Sequence, residues 1–339
     1  MNRHPILMRT LRLATLAGLL PSALIATCLD HRASWFTVNV TDAEGNPLEG
    51  ARIDIEMTNP AFRWGAGVDG FHLVPGDVIE RPADDSEYKP RLAEAVAANF
   101  NSMTFENRMK WSVWERYRDR YPGRDIILEA VRHIQGFGAF GGAQPFRVRG
   151  HATIWQREYA VPVEIRSGAG PDAIRARVEE HIRNYHQAFA GAIEVFDMVN
   201  EPFNETLLID QLVSPEAIDE RAAVFARWFQ IARETDPGAR LFFNEYNILN
   251  DWTPDEEQVH RYKRLIDAVR DAGGPVAGIG LQAHIDRYVS QQTIRKRLDI
   301  LSAPMPATEN HPDGLPGLPI EITELDIGEN NATGNHWYG

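Results

Sequence analysis

An α/β architecture, a TIM-type (β/α)8 barrel, is predicted by three observations. Strand-like apolar runs alternate with helix-spaced ones from residue 62 to residue 325. Seven strand-like runs occur, which favours a closed barrel of β/α units over a doubly wound sheet. Two of them end on a carboxylate, Glu201 and Glu324, and function in a barrel gathers at the C-terminal strand ends.

From the N-terminus, Arg3, His4, Arg9 and Arg12 precede an apolar stretch from Leu13 to Ala26. This is the pattern of a secretory signal, too short to span a bilayer comfortably, so export to the periplasm, the cell surface or the medium is expected. Ile25-Ala26-Thr27-Cys28 faintly resembles a lipoprotein box, with Cys28 as the lipid attachment point and Thr27 unusual before it. Residues 35–57 alternate apolar and polar (Phe36, Val38, Val40, then Ala51, Ile53, Ile55) around the turn-rich Asp42-Ala43-Glu44-Gly45-Asn46-Pro47, which predicts a β-hairpin.

The barrel strands are then expected at 62–67, 100–104, 146–154, 192–199, 240–244, 276–283 and 318–325. Helices between them are read from Ile174, Val178, Ile182, Tyr185 and Phe189, from Val224, Phe225, Trp228, Phe229 and Ala232, and from Val259, Tyr262, Leu265, Ile266 and Val269, all at helical spacing. An eighth strand is not found before Gly339, so the barrel is expected to lack its last β/α unit and to leave parallel edges open. The predicted organisation is a signal and linker over 1–33, a hairpin unit over 34–60 and the barrel over 61–339.

The 339 residues, 43% hydrophobic and 24% charged, are ample for a large core. A net charge of -13 argues against nucleic acid or an anionic membrane as partner. Cys28 is the only cysteine, so stability rests on packing rather than an intrachain disulfide. A monomer without cofactor is expected. No His-x-His pair or carboxylate–His cluster with ligand spacing occurs in the sequence, so no metal is expected either.

A carboxylate closing a buried strand is costly unless it faces a polar cleft. Two of them, in Asp197-Met198-Val199-Asn200-Glu201-Pro202 and Ile322-Thr323-Glu324-Leu325-Asp326, suggest the carboxylate pair that glycoside hydrolysis uses. Asn200 is placed to hold a sugar hydroxyl, and Asp326 to lend charge behind Glu324. His151 and Trp155 mark the end of the third strand. Gln282 and His284 alternate at the sixth and are expected to point the same way. Glu106, Asn107 and Lys110 offer hydrogen bonds to hydroxyls, and Trp111 or Trp155 a stacking face.

With Thr104-Phe105-Glu106-Asn107-Arg108-Met109-Lys110-Trp111, Arg149-Gly150-His151, Asn244-Glu245-Tyr246-Asn247 and Gly278-Ile279-Gly280-Leu281-Gln282-Ala283-His284, these motifs make the chain resemble the family 10 glycoside hydrolases, the endo-β-1,4-xylanase family. The likeness runs in family order over residues 62–327. It implies a retaining mechanism on xylan, with Glu201 as acid/base and Glu324 as nucleophile. It implies sugar contacts from Glu106, Asn107, Lys110, His151, Trp155 and Asn200, with Tyr246 lining the cleft and Gln282 and His284 beside the nucleophile. Phe196 replaces a usual Trp, a packing change, and Gln156 replaces a frequent His, expected to alter the wall of a sugar site. The family's eighth-strand loop brings Trp residues over the sugars, and Trp337 is poorly placed to substitute. Another β-1,4-glycan as substrate, or an inactive remnant, are the alternatives that the residues leave open.

Overall fold

Seven parallel strands follow one another across a single curled sheet, in the order expected of a (β/α)8 barrel. The structure is a computed structural model describing residues 37–55, 62–74, 88–118, 124–138, 145–250 and 256–327. The expected signal segment with Cys28, and Trp337, lie outside the described residues.

The chain forms two units, Met1–Met57 and Thr58–Gly339. In the first, Gly45 at φ 91° closes a tight turn between Thr41 and Pro47, which form one antiparallel bridge. The Asp42 carboxylate accepts from the Asn46 backbone at 2.8 Å. The expected second strand, through Ile53 and Ile55, carries no ladder pairing among the described residues, and both side chains are exposed. With no buried residue among the described residues of this unit, no buried face fixes a strand register there.

In the second unit the strands are β1 (Gly65–Val68), β2 (Ser102–Phe105), β3 (Arg147–Gly150), β4 (Ile154–Trp155), β5 (Val195–Asn200), β6 (Arg240–Glu245), β7 (Val276–Leu281), β8 (His284–Ile285), β9 (Ile320–Ile322) and β10 (Asp326–Ile327). The sheet runs β1-β2-β3-β5-β6-β7-β9, with β4 also on β5, and β8 pairs with β10. The helices are α1 (Tyr88–Asn99), α2 (Trp111–Arg116), α3 (Asp125–Gln135), α4 (Pro171–Phe189), α5 (Ile218–Thr235), α6 (Glu257–Asp271) and α7 (Gln291–Ser302).

The central strands β5, β6 and β7 are buried almost throughout, as a parallel sheet covered on both faces requires. Helices cover it with the predicted apolar positions. Ile174, Val178, Ile182, Tyr185 and Phe189 are fully buried, as are Val259, Tyr262, Ile266 and Val269, whereas Val224 is only half-buried. The outermost strands β1 and β9 do not pair with each other among the described residues, and Ile322 stays 46% exposed.

Two glycines let large rings lie across the sheet. A Cβ on Gly150 would stand 2.3 Å from the Phe196 ring, and one on Gly278 2.1 Å from the Phe242 ring. Phe242 is itself fully buried beneath the Arg149 guanidinium, so it has nowhere to retreat. Gly278→Ala is therefore expected to destabilise the barrel by about 1–3 kcal/mol, the usual cost of overpacking. Urea unfolding monitored by fluorescence checks this, and an unchanged midpoint would contradict it.

Three predicted strands are interrupted. The run 146–154 divides into β3 and β4, the run 276–283 stops at Leu281, and the run 318–325 keeps only β9, with β10 starting beyond it at Asp326 and Glu324 between the two. At β5 the ladder to β6 skips Met198, a bulge that adds one residue. Asp197 and Asn200, three apart, would face opposite sides of a regular strand; the extra residue allows both to reach the same polar centre.

Candidate active site

The strand ends converge on Glu201 and Glu324. Glu201 leaves β5 in the left-handed region, φ 54°, its backbone N–H donating to Asn244 at 2.7 Å. Its carboxylate is surrounded by donors: Trp155 Nε1 at 2.9 Å, Gln282 Nε2 at 2.9 Å and Asn200 Nδ2 at 3.2 Å. Asn247 and Ala283, past the ends of β6 and β7, are also left-handed, at φ 57° and 63°. Three neighbouring strands thus all leave extended geometry at the same level of the sheet. Each such non-glycine residue costs on the order of 1–3 kcal/mol.

Glu324 lies between β9 and β10 and accepts from Asn244 Nδ2 at 2.8 Å. That same Asn244 amide donates to Asn200 at 2.9 Å, so one side chain links the two carboxylate neighbourhoods. His284 Nε2 stands 3.4 Å from Glu324 and His284 Nδ1 2.8 Å from Asp326. His151 lies 4.0 Å from Glu324 on its other side. Burial would push the Glu324 carboxyl up, but the hydrogen bond from His284 and the nearby His151 outweigh it and hold Glu324 below the ordinary carboxylate range. The ionised form, the one a nucleophile needs, is favoured.

His284 responds in kind, pushed up to about 9 by its hydrogen bond to Glu324 and then by Asp326, against burial. The ordinary histidine value is near 6.5, so this contribution to stability is complete below about pH 6.5 and is lost as pH rises through 9. The wild-type melting temperature is expected to fall over that interval more steeply than that of His284→Gln. The ring is 43% exposed, so solvent screening keeps the difference small. Parallel slopes in thermal melts from pH 6 to 9.5 would remove the assignment.

Lys110 Nζ sits 4.4 Å over the Trp155 ring and donates to Asn107 at 2.7 Å. Burial lowers its pKa, opposed by the charges of Glu324, Glu201 and Glu106 in that order. Glu106 and Asn107 are exposed at the rim. Tyr246 is half-buried, its hydroxyl pushed up to about 12 by burial and by Glu201. Glu106, Asn107, Lys110, His151, Trp155, Asn200, Tyr246, Gln282 and His284 thus all lie around the two glutamates or border their surroundings.

Three expectations need correction. Trp111 offers no stacking face: it is 1% exposed, with its ring against His181 at 4.2 Å between centroids. Gln156 does not line a sugar wall. It is fully buried, and its Oε1 accepts from the Ile209 backbone at 2.7 Å, bracing the loop after β5. Gln282 and His284 meet the site without strand alternation, because left-handed Ala283 turns the chain between them. Gln282 reaches Glu201, and His284 reaches Glu324.

The sequence reasoning missed two groups. Asp197 is fully buried, accepts from Arg149 Nη2 at 2.5 Å and meets His151 Nδ1 at 2.9 Å. Burial alone would raise its carboxyl, but Arg149 and then His151 bring it down to about 2. An aspartate inside an apolar run was the available signal. Glu245, at the end of β6, is fully buried and accepts from Phe203 N, Asn204 Nδ2 and Tyr246 N at 3.0–3.2 Å. Burial and then the charge of Glu201 push it up to about 8. It fastens the loop that follows Glu201 to the neighbouring strand.

A parallel barrel whose C-terminal strand ends gather two carboxylates, amide donors and a histidine defines a glycosidase-type site. The family model of Glycosyl hydrolase family 10 matches residues 76–336, and the chain belongs to that family. Endo-1,4-beta-xylanase 2 of Arabidopsis thaliana is 28% identical over 84% of this chain and 22% of its own length. Beta-1,4-xylanase of Dictyoglomus thermophilum is 30% identical over 55% of this chain and 48% of its own. This chain thus spans about half or less of these relatives. The solved structure of a thermostable mutant of a xylanase (Xyn10A) from Cellvibrio japonicus aligns at TM-score 0.58 and 26% identity, covering 81% of this chain and 73% of that one.

Proposed function

We propose that this chain is a retaining endo-β-1,4-xylanase, with Glu201 as acid/base and Glu324 as nucleophile. The observation that carries the reading is the meeting of the two carboxylates at the strand ends, linked through the Asn200–Asn244 amide pair. Glu324 is held anionic between two histidines, and Glu201 is oriented by Trp155, Gln282 and Asn200. In the first step Glu324 bonds to the anomeric carbon, the glycosidic C–O bond breaks, and the Glu201 proton goes to the departing oxygen. Water then attacks the anomeric carbon, gives its proton to Glu201, and releases Glu324. The xylanase relatives support xylan as the glycan.

The test is reducing-end release from β-1,4-xylan by the wild type and by Glu324→Gln. Release by the wild type, reduced to background by the substitution, is expected. Comparable release from both would reject Glu324 as nucleophile. Release only from another β-1,4-glycan would reject xylan.

A further inference from the structure

Beside the loop that follows Glu201, a cavity of about 290 Å³ opens between the N-terminal halves of α5 and α6. Pro202 and Phe203, the residues directly after Glu201, form one wall; Ile218 and Arg221 of α5 and Arg261 and Arg264 of α6 form others. It is therefore separated from Glu201 by a single strap of chain, which Glu245 fastens at Phe203 and Asn204.

The three guanidinium groups are not equally engaged. Arg221 is occupied, since it lies 2.6 Å from Asp210, which also accepts from Thr206 at 2.6 Å. Arg264 meets Glu257 at 2.8 Å, but both side chains are more than half exposed, so water and salt screen the pair and it is readily exchanged for another anion. Arg261 makes no hydrogen bond or ion pair among the described residues; its guanidinium lies 5.2 Å over the Phe203 ring. Arg261 and Arg264 are three apart on one helix, a like-charge spacing that is mildly unfavourable by itself. With Arg221 paired to Asp210, Arg261 is the one cation of the cavity without an ion pair among the described residues, and Arg264 is held only by the exposed Glu257, in a chain of net charge -13.

We propose that this cavity receives a carboxylate-bearing branch sugar of the glycan substrate, with Arg261 and Arg264 as its ligands. The inference rests on the glycan-hydrolase reading above. A guanidinium presents a planar fork matched to a carboxylate, and charge-assisted pairs of this kind are about twice as strong as neutral hydrogen bonds. Phe203 and Ile218 supply apolar surface for the C–H face of a sugar ring. The volume, at the lower end of ordinary ligand pockets, fits one residue rather than a chain. An acidic glycan approaching a protein of this net charge is repelled overall, so a local pair of cations beside the cleavage point is where such a substrate gains a foothold.

The experiment compares kcat/KM on a linear xylo-oligosaccharide and on the same oligosaccharide carrying a uronic acid branch, for the wild type, Arg261→Gln, and Arg261→Gln/Arg264→Gln. The double substitution is expected to lower the branched-to-linear ratio by about tenfold or more, the size of one lost charge-assisted bond, while the linear rate stays unchanged. Melting temperatures of the variants monitor folding, since both residues lie on the outside of α6. An unchanged ratio overturns the proposal. Titration calorimetry on Glu324→Gln with both oligosaccharides gives the answer without turnover: tighter binding of the branched one, lost in the double variant, supports the cavity even if no hydrolysis occurs. Equal binding of the two, with inorganic phosphate alone held by the arginines, overturns it in favour of a free-anion site.

Discussion

Glu201→Ala is expected to slow hydrolysis of xylan by roughly 10²–10⁴-fold, the range supplied by general acid–base catalysis. On aryl xylosides whose leaving group departs without protonation, bond cleavage should change little, because Glu324 remains to attack. Their turnover then becomes limited by the second step, where water has lost its base, and a burst of released phenol is the expected signature. The substitution also removes the acceptor of Trp155 Nε1, Gln282 Nε2 and Asn200 Nδ2. Gln282 Nε2 keeps Asn200 Oδ1 at 3.3 Å, but an orphaned buried donor such as Trp155 Nε1 costs about 1–3 kcal/mol, so melting must be followed alongside rates. Equal losses on natural and activated substrates, from a folded variant, would withdraw the acid/base role.

The second large effect concerns stability. Asp197→Ala leaves the Arg149 guanidinium with Glu321 alone, at 2.5 Å, and removes the carboxylate that meets His151. Breaking a buried ion pair by deleting one partner costs about 3–5 kcal/mol. At about 2–4 °C per kcal/mol for a domain of this size, the melting temperature is expected to drop by roughly 10 °C. The sign with pH also follows. Asp197 is held at about 2, well below its ordinary value, so its contribution is present above about pH 4 and is lost as pH falls toward 2. The wild type and variant should therefore converge in stability in acid. A gap that persists at pH 2 would assign the loss to packing instead.

How much of this was legible depended on the kind of constraint. The barrel was readable because Val195–Asn200 and Val276–Leu281 need continuous apolar character to lie between helices, and a composition of that sort survives in one dimension. The meeting of Glu201 and Glu324 at the strand ends was readable for the complementary reason, a carboxylate where such a run ends. Phase information was not readable. The bulge at Met198 and the left-handed Ala283 change which way side chains point without changing composition, so strand alternation gave the wrong account of Gln282 and His284. Nor could the sequence separate Trp111 from Trp155. Both rings are buried near a strand end, and only their partners tell them apart, His181 against the Trp111 ring and Glu201 on the Trp155 N–H.

The run of left-handed residues at Glu201, Asn247 and Ala283 has a further consequence for stabilising the protein by engineering. Relaxing a positive φ calls for glycine, but the Glu201 carboxylate accepts from Trp155, Gln282 and Asn200, and Asn247 holds Asn250 through its side-chain oxygen. Ala283 has only a methyl group to lose. Of the three strained positions it is the one where a gain in thermal endurance does not require surrendering a hydrogen-bonding side chain, and a glycine there would lend the turn between Gln282 and His284 a looser hinge. Durability and rigidity would then be traded at a residue whose side chain makes no polar contact.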